Sequence, residues 1–175
     1  MLKGPIPPHV DPRKLADRAA SLKGELQLSG LKRLVDPLED DQGVVRASFD
    51  FGRDEQRTVV IHSALDVEVT MICQRCLEPV VLPIHSECDY AVVNEGSSSQ
   101  HLPKGYDVLE VGEDPLDLLA LVEEELLLAL PIVPLHDQEV CQPPAGPDEP
   151  KPNEDEVSRS NPFSVLAQLK RDPNV

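Results

Sequence analysis

Two pairs of metal-binding residue types, about sixty residues apart, constrain the fold of this chain more than any other feature. Cys73 and Cys76 form a C-x-x-C motif, and His136 and Cys141 follow a long apolar stretch. A C-x-x-C turn lets both sulfurs converge on one tetrahedral centre, and a structural zinc site needs four nitrogen or sulfur ligands. We therefore predict a fold that returns His136 and Cys141 to the C-x-x-C turn, where the four residues hold one structural zinc ion.

The sequence around the C-x-x-C motif favours a metal turn over a redox motif. Residues 67–72 and 79–82 are rich in β-branched and other apolar residues, which predicts strand, turn, strand. A thioredoxin-type motif instead opens a helix whose N-terminus lowers the thiol pKa. Two other interpretations stay open, namely reduced cysteines without metal and thiol redox chemistry at Cys73 and Cys76. Cys88 falls on the following strand, where we expect a small buried side chain.

Alternation of apolar and polar residues predicts an antiparallel meander with one buried face. We expect strands at residues 24–30, 44–51, 58–72 and 78–93, and a last strand at 106–111. A bulge or a break is expected near Ser63 and Ala64, where the series of large apolar residues is interrupted.

Two helices are predicted, one before and one after these strands in the sequence. Asp11 and Pro12 suit an N-cap and a first helical position, so a short helix is expected over residues 13–22. A second helix, rich in leucine, is expected over residues 116–130, with Asp114 and Pro115 as its cap. The predicted fold class is therefore α+β: an antiparallel β-sheet meander packed by one long leucine-rich helix.

The ends of the chain differ in composition from its centre. Residues 1–10 are proline-rich and predict an extended arm, and residues 11–141 predict a single α+β domain. Residues 142–160 are acidic and proline-rich, which predicts a disordered linker. Residues 161–175 predict a short amphipathic helix whose apolar face carries Phe163, Leu166 and Leu169. A helix this short is marginal in water, so we expect this face to dock, either on its own domain or on a partner.

Charge divides the chain unevenly and bears on its partners. The formal net charge is −16, residues 1–57 hold ten basic and ten acidic side chains, and residues 58–175 hold six and twenty-two. Such an excess repels phosphate and attracts basic proteins, although solubility alone would also explain it. In the neutral part, the candidate RNA-binding residues, with solvated surface charge as the alternative, are Arg13, Lys14, Arg18, Lys32 and Arg33.

The remaining sequence features argue for a binding protein of the cytoplasm and against an enzyme. The chain opens without a signal-peptide pattern, and no apolar run reaches the roughly 18 residues of a membrane span. The sequence has no G-x-S-x-G motif and no phosphate-binding glycine loop. We expect the protein to bind neither a membrane nor a small-molecule substrate. The alternative is a thiol- or zinc-dependent enzyme that uses the Cys73 and Cys76 pair. Four protein ligands would, however, leave a zinc ion no position for a reactive water.

Three motifs in this order are similar to those of one protein family. The motifs are CQRCL at residues 73–77, the leucine-rich stretch 115–131, and NPFSVL at residues 161–166. Together they resemble the YceD family, the large ribosomal RNA subunit accumulation proteins, over essentially the whole chain. The resemblance implies a role in the synthesis, processing or stability of 23S rRNA without a defined catalytic activity. It also implies that the partner is a 23S rRNA precursor or a ribosomal protein.

The chain departs from the family pattern after the leucine-rich stretch. Many members carry a cysteine pair there, often followed by a further cysteine cluster, whereas this chain has His136 and Cys141 and then an acidic tail. Imidazole can replace thiolate as a zinc ligand, so the replacement is compatible with a metal site.

Overall fold

A six-stranded sheet forms the centre of the computed structural model, which describes residues 2–3, 5–96 and 105–142. The strands are, in chain order, β1 (Leu2–Lys3), β2 (His9–Val10), β3 (Ser21–Gln27), β4 (Val44–Arg53), β5 (Val59–Ile72), β6 (Pro79–Val93), β7 (Asp107–Glu110) and β8 (Leu116–Asp117). The helices are α1 (Pro12–Ala16), α2 (Lys32–Val35) and α3 (Leu118–Ala129), with a 3-10 turn at Leu28–Gly30.

The sheet order is β1-β3-β4-β5-β6-β7, and β2 pairs with β8 in a separate two-stranded ribbon. Strands β3 to β6 form an antiparallel meander, which confirms the predicted α+β class and its central topology. The edge strands β1 and β7 instead run parallel to their neighbours β3 and β6, which the sequence pattern did not predict.

The predicted bulge near Ser63 and Ala64 is wrong. Strand β5 pairs with β6 without interruption, from Val59 opposite Val92 to Ile72 opposite Pro79. Ser63 occupies a core-facing position, with 1% of its surface exposed, and its hydroxyl donates to the carbonyl of Cys88 at 3.3 Å. That hydrogen bond satisfies the buried hydroxyl, so the alternation of buried and outward-facing residues along β5 continues through a polar residue.

Helix α1 begins as predicted and ends earlier than predicted. The Asp11 side chain accepts from the backbone N–H groups of the first turn, which confirms it as the N-cap. The helix stops at Ala16 because the chain turns through Ala19 in the left-handed conformation, with φ 45°. Ser21 and Leu22, expected at the end of this helix, belong to β3 and pair with β4.

Helix α3 is shorter than the predicted helix over residues 116–130. Leu116 and Asp117 pair with β2, so Asp117, and not Asp114, is the N-cap. Its carboxylate accepts from the N–H groups of Leu119 at 2.9 Å and Ala120 at 3.1 Å. The helix packs against β6 and α2, and its buried side chains are Leu118, Leu121, Val122 and Leu126.

The N-terminal arm lies against the domain where it is described. Ile6 and Val10 are buried in the core, and β2 pairs with the residues that precede α3. The predicted linker and C-terminal helix, including Phe163, Leu166 and Leu169, lie outside the described residues, apart from Gln142. Within the described part of the chain, no helix has the length and apolar character needed to cross a membrane.

Candidate metal centre

The cysteine turn, residues 73–78, connects β5 to β6. The Cys73 N–H donates to the Glu78 carbonyl at 3.0 Å, and the Leu77 N–H donates to the Cys73 carbonyl at 2.9 Å. Leu77 adopts the left-handed conformation, with φ 64°, and is exposed. Both cysteines are buried. Because β5 ends at Ile72 and β6 begins at Pro79, the predicted order of strand, turn and strand is confirmed.

The return segment, residues 131–142, brings the second ligand pair back to this turn. The Gln74 N–H donates to the carbonyl of Pro134 at 2.9 Å, which fixes the segment beside the cysteine turn. The N–H of Cys141 donates to the carbonyl of Asp137 at 3.1 Å, closing a tight turn between the two candidate ligands. His136 and Cys141 are half-buried at this contact.

The four predicted ligands lie together in the structure. One ligand atom from each of Cys73, Cys76, His136 and Cys141 lies within 4.8 Å of the others. The sulfurs of Cys73 and Cys141 are 3.9 Å apart, and the sulfur of Cys76 is 3.2 Å from His136 Nδ1. A tetrahedral zinc ion with bonds of about 2.3 Å to sulfur separates two sulfurs by about 3.8 Å. The donor set and its spacing therefore fit one tetrahedral metal ion.

Hydrogen bonds to Pro79 and Arg75 orient the ligands of the cluster. His136 Nε2 lies 3.0 Å from the carbonyl of Pro79, to which its N–H donates a hydrogen bond. In this tautomer the lone pair is on Nδ1, which faces the cysteines. Metal-binding histidines commonly have such a carbonyl partner. Arg75 Nε donates to the sulfur of Cys141 at 3.0 Å, and its Nη2 donates to the carbonyl of His136 at 2.9 Å. Arg75 was not among the predicted site residues, although its position inside the C-x-x-C motif places a cation beside the thiols.

The thiol environments differ between the two cysteines of the turn. Burial raises the pKa of Cys73, but hydrogen bonds from the backbone of Cys76, His136 and Arg75 outweigh burial and lower the pKa to about 5. The backbone of Glu78 lowers the pKa of Cys76, yet burial and the neighbouring thiols prevail and raise it. These hydrogen bonds therefore favour the thiolate form of Cys73, the form that binds a metal ion.

Cys88 takes no part in the cluster. It lies half-buried on β6, as the strand prediction placed it, and its sulfur donates to the Asp107 carboxylate at 3.1 Å. Burial raises the pKa of Cys88 to about 12, followed in effect by the Asp107 bond. The raised pKa disfavours the thiolate, which is the form that acts as a nucleophile or a metal ligand.

Of the five residues predicted to bind RNA, Arg13 makes the most side-chain hydrogen bonds to other residues of the domain. Its guanidinium donates to the Asn94 side chain at 2.6 Å and to the Val111 carbonyl at 3.0 Å. A longer contact of 3.5 Å reaches the Gly112 carbonyl. Arg13 therefore ties α1 to the ends of β6 and β7, which reduces its availability to phosphate.

The other four predicted RNA-binding residues are exposed. Lys14 pairs with the N-cap carboxylate of Asp11 at 3.0 Å, and Arg33 pairs with Glu124 of α3 at 3.4 Å. Arg18 and Lys32 lie on the surface of the turn after α1 and of α2. Their RNA-binding role stays a prediction.

Comparisons with known proteins agree with the motifs. The family model described as "Large ribosomal RNA subunit accumulation protein YceD" matches residues 61–170, a range that includes all four candidate ligands. A Haemophilus influenzae protein named large ribosomal RNA subunit accumulation protein YceD is 34% identical over 173 residues, covering 98% of this chain and 99% of the relative. No solved structure matches the chain.

The family match at residues 61–170 includes all three sequence motifs, and the match to the relative covers 98% of the chain. The chain therefore belongs to the YceD family of large ribosomal RNA subunit accumulation proteins.

Proposed function

We propose that this chain supports the accumulation of 23S rRNA in the cytoplasm by binding a component of the large ribosomal subunit, without catalysing a reaction. The observation that carries this proposal is membership of the family over residues 61–170. The Haemophilus influenzae relative carries the same description as the family model, and the match covers 99% of its length.

Charge favours a basic ribosomal protein over rRNA as the direct partner. The net charge of −16 opposes a close approach to phosphate. Three of the five cations predicted to face RNA also have acceptors within the domain, namely Arg13, Lys14 and Arg33. Binding to RNA would release counterions and give a steep salt dependence, whereas a protein interface with an apolar centre would not.

We further propose that Cys73, Cys76, His136 and Cys141 hold one structural zinc ion. The four donors would fill a tetrahedral zinc ion and leave no open position for water, which supports a structural role. Three thiolates and one zinc ion carry a net charge of −1, and the Arg75 guanidinium beside Cys141 offsets it. The ion would fasten the cysteine turn to the return segment.

A thiol enzyme is the competing function, and one observation favours it. Backbone hydrogen bonds lower the pKa of Cys73 to about 5, which favours the reactive thiolate. The same residue has 0% of its surface exposed, so a substrate could not reach its sulfur without opening the turn. Slow labelling of Cys73 by iodoacetamide in the folded protein would support the structural role, and rapid labelling would support the enzyme.

Genetic complementation tests the ribosomal role. Cells that lack this protein would be supplied with the wild-type chain, with Cys76→Ser, or with Cys88→Ser as a matched control outside the cluster. We expect the cells without the protein to lose 23S rRNA relative to 16S rRNA, and the wild-type and Cys88→Ser chains to restore it. An unchanged 23S to 16S ratio in the cells without the protein would contradict the proposed function.

Metal analysis of the purified proteins tests the zinc site separately. We expect about one zinc ion per chain in the wild-type and Cys88→Ser proteins and a loss of zinc in Cys76→Ser, because three ligands remain. A metal ion at about 1,000 times its dissociation constant stabilises the folded state by about 4 kcal/mol. Wild-type protein that is purified without zinc and melts at the same temperature as Cys76→Ser would refute the site.

A further inference from the structure

Exposed apolar side chains concentrate at one end of the described domain. Of the nine large hydrophobic residues that are exposed among the described residues, seven belong to the stretches 77–81 and 128–140. Val81 lies on the face of β6 opposite the buried Val80 and Ile84, away from the face on which α3 packs. We call the other six the knuckle patch, which comprises Leu77, Leu128, Ile132, Val133, Leu135 and Val140. The remaining two of the nine, Val44 and Val108, lie on β4 and β7.

The candidate metal cluster joins the two stretches that carry the patch. Leu77 lies between Cys76, whose sulfur is 3.2 Å from His136 Nδ1, and Pro79, whose carbonyl accepts from His136 Nε2. Leu135 directly precedes His136, and Val140 directly precedes Cys141. The same contacts that bring the ligands together therefore bring these apolar residues to one end of the molecule.

The exposure of the patch is large for aliphatic side chains. Ile132 is 98% exposed and Leu128 is 82% exposed, whereas Leu126, two positions earlier on α3, is fully buried. Single exposed apolar residues are ordinary on protein surfaces, but a concentration of them marks an interaction site. The patch therefore has the composition of a surface that a partner covers.

Charges within the same stretches indicate what kind of partner fits. Glu78, Asp137 and Glu139 are exposed, and none of them takes part in an ion pair with another described residue. The two residues that could carry positive charge, Arg75 and His136, are directed to the cluster and to backbone carbonyls. The surface is thus apolar with acidic groups around it.

We propose that the knuckle patch docks an amphipathic, basic segment of a ribosomal protein. Apolar side chains of the segment would cover the patch, while its lysines or arginines would pair with Glu78, Asp137 and Glu139. RNA would meet the acidic groups with its phosphates, and a second copy of this chain would bring carboxylates against carboxylates. The inference rests on the proposed function and names the surface through which it acts.

Site-specific photocrosslinking in living cells tests the proposal. Benzoylphenylalanine placed at Ile132 of the full-length chain would be compared with the same group at Val44, a matched exposed position outside the patch. We expect the Ile132 probe alone to crosslink a large-subunit ribosomal protein, through a peptide that mass spectrometry identifies as rich in lysine or arginine and apolar residues. Crosslinks to 23S rRNA, to a second copy, to residues 143–175 of the same chain, or to nothing would overturn the proposal.

Polar substitutions provide a second, independent measurement. Ile132→Ser with Val140→Ser should weaken association with the crosslinked protein by about tenfold or more, because two apolar contacts are lost. Val44→Ser with Val108→Ser serves as the control and should leave the affinity unchanged. Since all four residues are exposed, melting temperatures should stay close to the wild type. Equal affinities for both double variants would overturn the proposal.

The complementation assay separates the failure of this inference from the failure of the proposed function. If cells without the protein keep normal 23S rRNA, the ribosomal role itself is wrong. If those cells lose 23S rRNA but Ile132→Ser with Val140→Ser restores it fully, the ribosomal role stands and the knuckle patch is not its docking surface.

Discussion

Replacing Arg13 by methionine distinguishes a structural role of this residue from RNA binding. The guanidinium bonds to the Val111 carbonyl at 3.0 Å and to the Asn94 side chain at 2.6 Å. A hydrogen bond from a charged donor contributes about 1.5–3 kcal/mol when buried and less when exposed. One bond is partly buried and the other is exposed, so we expect the substitution to lower the free energy of unfolding by about 2 kcal/mol.

Urea denaturation and thermal melting would measure this effect. For a chain of this size, about 2 kcal/mol corresponds to a melting temperature lower by about 4–8 °C. Lys14→Met is the matched control, since Lys14 makes only an exposed ion pair with Asp11 and should change stability by less than about 1 kcal/mol. An Arg13→Met protein that is as stable as wild type, but whose 23S rRNA binding depends less steeply on salt, would refute this reasoning.

Three further predictions concern two residues of α3 and the contact between His85 and Asp66. Glu123→Ala should cost about 1 kcal/mol in urea unfolding, because its carboxylate caps α2 through the Arg33 N–H at 2.7 Å, while Glu124→Ala should cost less than about 0.5 kcal/mol. Leu126→Ala should cost about 2–5 kcal/mol in the same assay, because the side chain is fully buried. The hydrogen bond to Asp66 raises the pKa of His85, so its stabilisation is present below about pH 6.5 and lost as pH rises through the folded pKa. His85→Gln should therefore lower the free energy of unfolding more at about pH 5.5 than at about pH 9.

Each of these predictions has a contrary outcome. Equal costs for the two glutamate substitutions would show that the carboxylate of Glu123 does not cap α2. A Leu126→Ala protein with unchanged stability would mean that α3 does not pack on the sheet as described. A pH-independent effect of His85→Gln would show that the imidazole gains nothing from its carboxylate neighbour.

The ligand cluster could be predicted from sequence because its chemistry is largely local. The C-x-x-C spacing of Cys73 and Cys76 already determines that both sulfurs share one turn. The return of His136 and Cys141 followed from an apolar helix that must lie back across the sheet. Arg75 was missed since the motif defines its position but not the atoms that its side chain reaches.

Other features depended on contacts that no local pattern records. Strands β1 and β7 have two and four residues, too short to show an alternation, and their parallel pairing is set by the rest of the sheet. Helix α1 ends before a left-handed Ala19, although glycine or asparagine is the usual signal for that conformation. Arg13 bonds to a carbonyl 98 positions away, so its charge alone indicated RNA instead of an internal contact.

The separation of the ligands along the chain also has a consequence for synthesis on the ribosome. Cys73 and Cys141 are 68 positions apart in the sequence. The cysteine turn therefore meets the return segment only after the chain between them has been synthesised. At a translation rate of about 5–20 residues per second, about 3–14 seconds pass between the two residues. Until His136 is synthesised, the nascent chain contains only two of the four candidate ligands, Cys73 and Cys76. A four-ligand site can therefore form only late in the folding of the domain.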